Sequence, residues 1–151
     1  MYDADFKSAD AVAQQFSCQA FKKLEEMISQ VKAVTVATPT VTHEALSTPF
    51  IKAGVACLIE KPLAKDVAEC TRIANLARQT GAIVQVGHIE RFNPIVRAMA
   101  RYNIQPAYIE TSRISPLTFR SIDVGVVLDM MIHDIDIVLK LANSKPVEVQ
   151  S

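Results

Sequence analysis

The sequence predicts an α/β fold: an incomplete, doubly wound parallel sheet, followed by the start of an α+β domain. Three observations predict it. Short apolar runs rich in β-branched residues recur at 33–38, 55–59 and 83–87. Between them lie segments whose apolar residues return at helical spacing. The runs are mostly apolar and of buried-strand length, and strand–helix–strand succession makes parallel βαβ units.

Each element can be justified in order. Ala9, Val12, Ala13 and Phe16 fall on one helical face, with Ser8 as the predicted N-cap. A second, short helix carries Leu24, Met27 and Ile28. The strand at 33–38 is closed by Pro39, and a helix follows over about 42–53, with Gly54 in the position of a C′ glycine. Pro49 inside that helix removes a backbone bond, costs about 3 kcal/mol, and predicts a kink. The strand at 55–59 runs into Glu60-Lys61-Pro62. Asp66, with Glu69 three residues on, predicts a capping box. Behind it Val67, Cys70, Ile73, Ala74 and Ala77 form an apolar stripe that Gly81 stops. After Arg101 the pattern changes. Residues 107–114 alternate loosely, as a half-exposed strand does, and a polar loop with Pro116 leads to a helix over about 124–142. Val147-Glu148-Val149 then begins a strand. The change sets a domain boundary near residue 103, giving domains at 1–103 and 104–151.

Composition excludes several classes. The 151 residues are 50% hydrophobic and 21% charged with zero formal net charge, unlike a disordered chain. Balanced charge without basic clusters argues against a nucleic-acid partner. No apolar run approaches the length that spans a bilayer, and the N-terminus lacks a secretion signal. Cys18, Cys57 and Cys70 cannot all pair and match no zinc spacing, so no metal is expected and a reduced, cytoplasmic setting is.

A dinucleotide-binding fold opens with a strand, a Gly-x-Gly-x-x-Gly turn and a helix. The four glycines here, Gly54, Gly81, Gly87 and Gly125, are never two residues apart. Tyr2-Asp3-Ala4-Asp5 nonetheless reads like the end of that fold's second strand, where an acid holds the adenosine ribose about 20 residues past the glycines. Roughly 25–30 residues, a central strand among them, are therefore expected before Met1. These 151 residues alone are expected to bind NAD weakly. Asp3 at the ribose position favours NAD over NADP, because a carboxylate repels a 2′-phosphate.

Four stretches carry candidate chemistry: Thr38-Pro39-Thr40-x-x-His43, Glu60-Lys61-Pro62, Gly87-His88-Ile89-Glu90-Arg91-Phe92-Asn93-Pro94, and Asp129-x-x-x-His133-Asp134-Ile135-Asp136. Lys61 follows a parallel strand, at the rim where open α/β sheets bind ligands. Placed partly out of water beside a cationic ring, its ammonium could polarise a hydroxyl; otherwise it is a loop lysine. Asp129, His133 and Asp136, at i, i+4 and i+7, predict one polar stripe on an otherwise apolar helix. Across one turn Asp129 could hold the tautomer of His133 and raise its basicity, whether in catalysis or in an Asp–His pair that only joins helix to loop. Three ligands on one stripe rarely converge on a metal.

In this order the four stretches resemble the glucose–fructose oxidoreductase / inositol dehydrogenase family (Gfo/Idh/MocA), over nearly the whole chain. The resemblance implies an N-terminally truncated, Rossmann-like nicotinamide-binding domain and the beginning of a substrate and dimerisation domain. It implies hydride transfer between NAD, less readily NADP, and a secondary alcohol of a sugar or nucleotide-sugar. The stretch from Gly87 to Pro94 is most similar to members acting at the 3-hydroxyl of UDP-N-acetylglucosamine. Lys61, Asp129 and His133 are then catalytic, with His133 the general base. Asp3, Thr38, Pro39, Thr40, His43, Glu60 and Lys61 lie on the cofactor side, with His43 equally suited to packing on its neighbours. His88, Arg91, Asn93, Arg113 and Arg120 face the substrate, the last two toward a diphosphate. A homo-oligomer is implied for the full-length protein. A non-catalytic binding or dimerisation module, and reductase or lyase chemistry, are the alternatives.

Overall fold

The structure is a computed structural model and describes residues 1–99, 101–102, 104–114 and 124–150. Helices α1 (Phe6–Gln15) and α2 (Leu24–Ile28) precede strand β1 (Ala33–Val36). Helix α3 (His43–Lys52), strand β2 (Ala56–Ile59), helix α4 (Val67–Thr80) and strand β3 (Val84–Val86) follow. The three strands are parallel and ordered β1-β2-β3. In register, Val34 lies beside Cys57, and Cys57 beside Val84. Both crossovers are helical, as parallel neighbours require. Three-stranded parallel pairing with intervening helices is the α/β arrangement expected.

The core lies under α3 and α4. Val34, Val36, Cys57 and Ile59 point from the sheet into Phe50, Ile51, Val55, Ala64 and Ile73, all buried. Burial pushes the Cys57 thiol up to about 11. The alternate residues Thr35, Leu58 and Gln85 are exposed, so the opposite sheet face stays open.

Local signals behave as their chemistry dictates, with some exceptions. Helix α1 is capped by Asp5 rather than Ser8. The Asp5 carboxylate accepts from the Lys7 amide at 3.1 Å and from the Ser8 hydroxyl at 2.8 Å, so the helix starts three residues earlier than expected. Helix α3 continues through Pro49. Gly54 follows it with φ +74° and Gly81 follows α4 with φ +72°, left-handed turns that favour glycine. Asp66 caps α4 by accepting from the Glu69 amide at 2.8 Å. Glu69 does not return the bond. Its carboxylate takes the Lys65 ammonium at 2.9 Å instead, so only half of the capping box forms.

The second region departs further. The 3-10 turn Ile89–Phe92 and helix α5 (Pro94–Met99) follow β3. Residues 107–114 do not form the expected strand, and neither do 147–149. A strand needs a ladder partner for its backbone groups, and among the described residues none lies beside either segment. Pro116 and its loop lie outside the described residues. Helix α6 (Ile132–Ala142) is preceded by a π-helical turn, Val127–Met131.

Candidate active site

The site begins at the carboxyl ends of β1 and β2. Past β1, the Thr42 hydroxyl donates to Thr38 Oγ1 at 2.8 Å and to the Pro39 carbonyl at 2.7 Å, closing a turn. Thr40 is buried within that turn. His43 opens α3 and is 1% exposed. Its Nε2 faces the Thr38 carbonyl at 2.9 Å, and its Nδ1 faces the Pro62 carbonyl at 3.0 Å. Both ring nitrogens are thus committed within the chain. His43 fastens the turn after β1 to the turn after β2, and does not present a free donor to a cofactor as expected.

Beside this rim lies a groove of about 440 Å³, with Met1, Tyr2 and Asp3 along one wall and Val34 to Thr38 along the other. Asp3 is exposed at its lip and accepts from the Asp5 amide at 2.8 Å. Met1 to Asp3 are not in a strand; the Met1 carbonyl is taken by the Phe21 amide at 2.8 Å. Among the described residues no glycine turn supplies amides for a pyrophosphate.

After β2 the chain turns through Glu60, Lys61 and a cis Lys61–Pro62 bond. Glu60 folds onto the end of β3: a β-carbon on Gly87 would meet its Oε2 at 2.9 Å. The same oxygen accepts from the Lys61 amide at 3.2 Å. Gly87 is paired to the end of β2 by its own amide, which donates to the Ile59 carbonyl at 2.8 Å. That bond sets His88 next to the Glu60–Lys61 turn.

Three cations from three segments then grip the last helical region. Lys61 Nζ donates to Asp129 Oδ1 at 3.0 Å and to the Asp129 carbonyl at 2.6 Å. Arg91 donates through Nε to Asp136 Oδ2 at 2.7 Å and through Nη2 to Oδ1. Arg113 donates through Nε to Asp134 Oδ2 at 2.8 Å and through Nη2 to Oδ1 at 2.9 Å. Asn93 is held too, donating to Glu90 Oε2 at 3.2 Å and accepting from the Ile95 amide at 3.0 Å. Arg120 lies outside the described residues.

Asp129, expected to hold the tautomer of His133, does not do so through the Nδ1 nitrogen. His133 Nδ1 is buried without a hydrogen-bond partner, and so is His88 Nδ1. The reason is the π turn: its i→i+5 winding breaks the i, i+4 register over Val127–Met131, and Asp129 turns to Lys61. Nor is the ring made more basic. Burial holds the His133 imidazole below its ordinary value, aided by the Lys61 and Arg113 charges and opposed by Glu90. A buried polar atom left unbonded costs about 1–3 kcal/mol. Both nitrogens thus call for a partner that the described residues do not supply.

Lys61, Asp129, His133 and His88 are therefore brought together; Asp3 and Thr38 line the groove beside β1, and Glu60 accepts from the Lys61 amide. Arg91, Asn93 and Arg113 are present, but each spends donors inside the chain. Sequence reading missed Asp134 as a partner of Arg113. The signal was available, because Asp134 and Asp136 flank His133 with carboxylates that a partly buried helix must neutralise.

Comparison with known proteins agrees with this geometry. Residues 1–88 match the GFO_IDH_MocA family, described as an oxidoreductase family with an NAD-binding Rossmann fold. UDP-N-acetylglucosamine 3-dehydrogenase of Acidithiobacillus ferrooxidans is 35% identical over 152 residues, spanning 100% of this chain and 49% of that protein. Its solved structure matches with a TM-score of 0.91 over 97% of this chain. Inositol 2-dehydrogenase of Corynebacterium glutamicum is 30% identical over 159 residues, covering 95% of this chain and 45% of that protein. GenD2 from gentamicin A biosynthesis, solved in complex with NAD, is 25% identical with a TM-score of 0.77, over 96% of this chain and 46% of that one. The chain spans about half the length of the relatives it matches. With a parallel α/β sheet, a lysine at its rim and that match over residues 1–88, the chain belongs to the Gfo/Idh/MocA family of NAD-binding oxidoreductases.

Proposed function

We propose that this chain carries the cofactor rim and the proton-handling residues of an NAD-dependent dehydrogenase, less readily an NADP-dependent one, acting on a secondary alcohol of a sugar or nucleotide-sugar. The observation that carries the reading is the convergence of Lys61 and His133. They come from elements far apart in sequence, yet the Lys61 charge reaches the His133 imidazole. The similarity to a UDP-N-acetylglucosamine 3-dehydrogenase supports a nucleotide-sugar, and residues 104–151 beginning a substrate domain fit that division of labour.

When bound, the nicotinamide supplies a hydride acceptor for the carbon that bears the hydroxyl. The protein supplies the rest. Lys61, oriented by Asp129, polarises the reacting hydroxyl. His133 is kept neutral by burial and by its cationic neighbours, so it is ready to accept the hydroxyl proton. Asp3 takes the adenosine ribose, and Thr38, Pro39 and Thr40 shape the rim that His43 fastens and Glu60 extends. His88 and Asn93 border the substrate. Arg91 and Arg113 each keep an Nη1 group beyond the donors given to aspartate, enough for a phosphate oxygen. Arg120 joins them by resemblance.

The test is NADH formation from NAD by the full-length protein, with UDP-N-acetylglucosamine and myo-inositol as alternative substrates. Turnover of the nucleotide-sugar, lost in His133→Ala with cofactor affinity kept, is the expected result. Cofactor binding without turnover of either would make the chain a binding module. Product formation without net NADH would point to lyase or internal redox chemistry.

A further inference from the structure

We propose that Asp134 is a positioning residue: it fixes the Arg113 guanidinium, and with it the segment around residue 113, beside His133. The inference rests on reading His133 as the base, but its test does not need turnover. The pair is bidentate, at 2.8 and 2.9 Å, with the Asp134 side chain 15% exposed. A fork held at both ends has one geometry, unlike a lysine contact. It matters more here because no ladder holds residues 107–114 among the described residues. Asp134 cannot act on the ring by touching it, since successive side chains on a helix point about 100° apart. Any positional influence it has on the ring passes through Arg113.

The groups facing His133 come from every neighbouring segment. Lys61 comes from the turn after β2, Arg113 from the 107–114 segment, and Glu90 and His88 from the segment after β3. Asp129 and Asp136 come from its own helical region. Lys61, Arg113 and His88 each disfavour a second proton on His133, and Glu90 favours one. Asp134 therefore has two possible effects of opposite sign. If it only lends its own charge, removing it makes the imidazole harder to protonate. If it holds Arg113 in place, removing it releases that cation and makes the imidazole easier to protonate.

Nitrogen-15 histidine labelling of the full-length protein, with the His133 signals assigned by their loss in His133→Asn, resolves the question. His43, bonded at both nitrogens, reports that the fold is intact. Asp134→Asn and Arg113→Met are expected to shift the His133 titration upward alike, with the double variant shifted no further than either single one. Asp134→Glu, which keeps the charge and can rebuild the fork, should restore most of the wild-type midpoint; it also serves if the asparagine variant does not fold. A downward or absent shift in Asp134→Asn, with an upward shift in Arg113→Met, would overturn the proposal. So would an additive double variant. If the titrations behave as expected while no substrate turns over, the proposed function fails and the positioning role stands.

Discussion

Lys61 and Asp129, 68 residues apart in sequence, meet at 3.0 Å, and that contact ties the rim of the sheet to the segment leading into His133. The ammonium also takes the Asp129 carbonyl, so one lysine secures both a side chain and the backbone of the π turn. Lys61→Met should therefore lower kcat by about 10²–10⁴, the range for losing a positioned proton-handling group. Lys61→Arg should rescue little, because a planar fork cannot satisfy the carbonyl and carboxylate from a point. Steady-state kinetics of both variants check this. Near wild-type rates in the arginine enzyme would mean that only charge matters.

The pH dependence has a definite sign. His133 is held below its ordinary value, so in the folded state it stays neutral further into acid than a free histidine. The acid limb of kcat/KM should have its midpoint below the usual 6.5 or so. Stability follows the same direction. A histidine with a depressed folded value contributes stability in full above the unfolded value and loses it as pH falls toward the folded one. Asp134 and Asp136 are also depressed, each chiefly by hydrogen bonds from its arginine, and their contribution is lost below the ordinary carboxylate range. Urea midpoints recorded from pH 8 to 3 should fall in two stages. His133→Asn should remove the upper stage only.

His43 gives a stability prediction that does not depend on function. Its ring fills a site 1% exposed and meets two carbonyls from separate turns. His43→Ala leaves a cavity and both carbonyls without that partner, a loss of about 2–4 kcal/mol. The measurement is a denaturant titration. A change of less than about 1 kcal/mol, the ordinary surface range and below, would show that the two turns hold themselves.

The sheet was legible because each strand is a short, mostly apolar run, and such runs have few alternatives inside a βαβ pattern. Capping glycines were legible for the same local reason, since Gly54 and Gly81 sit where positive φ is required. The place of Lys61 at the rim of the sheet was legible from the apolar strand that precedes it. The partner of Asp129 was not, because an i, i+4 argument assumes an unbroken α-helix and the π turn breaks that assumption. Arg91 read as a substrate-pocket residue and Arg113 as a diphosphate binder because sequence spacing cannot reveal contacts to Asp136, 45 residues away, or Asp134, 21 away. The strand expected at 107–114 failed because alternation indicates a face, whereas a strand also needs a neighbour.

Gly87 is the sharpest single test of how the two strand ends are joined. A β-carbon there would stand 2.9 Å from Glu60 Oε2 and 3.1 Å from its Cδ, closer than such atoms ordinarily come. The obstacle is the end of a flexible side chain, so Gly87→Ala should fold, at a cost of about 1–2 kcal/mol. Relief requires the Glu60 carboxylate to move, and with it the acceptor of the Lys61 amide. The variant should therefore lose activity well beyond its loss of stability, with kcat falling more than cofactor affinity. Glu60→Gln, which keeps the shape but weakens the acceptor, should show a smaller loss of the same kind. Adding Glu60→Ala to Gly87→Ala opens the space the methyl needs, so it should recover stability without recovering rate. If the double variant recovers both, Glu60 has no part in holding Lys61, and the close approach at Gly87 is packing alone.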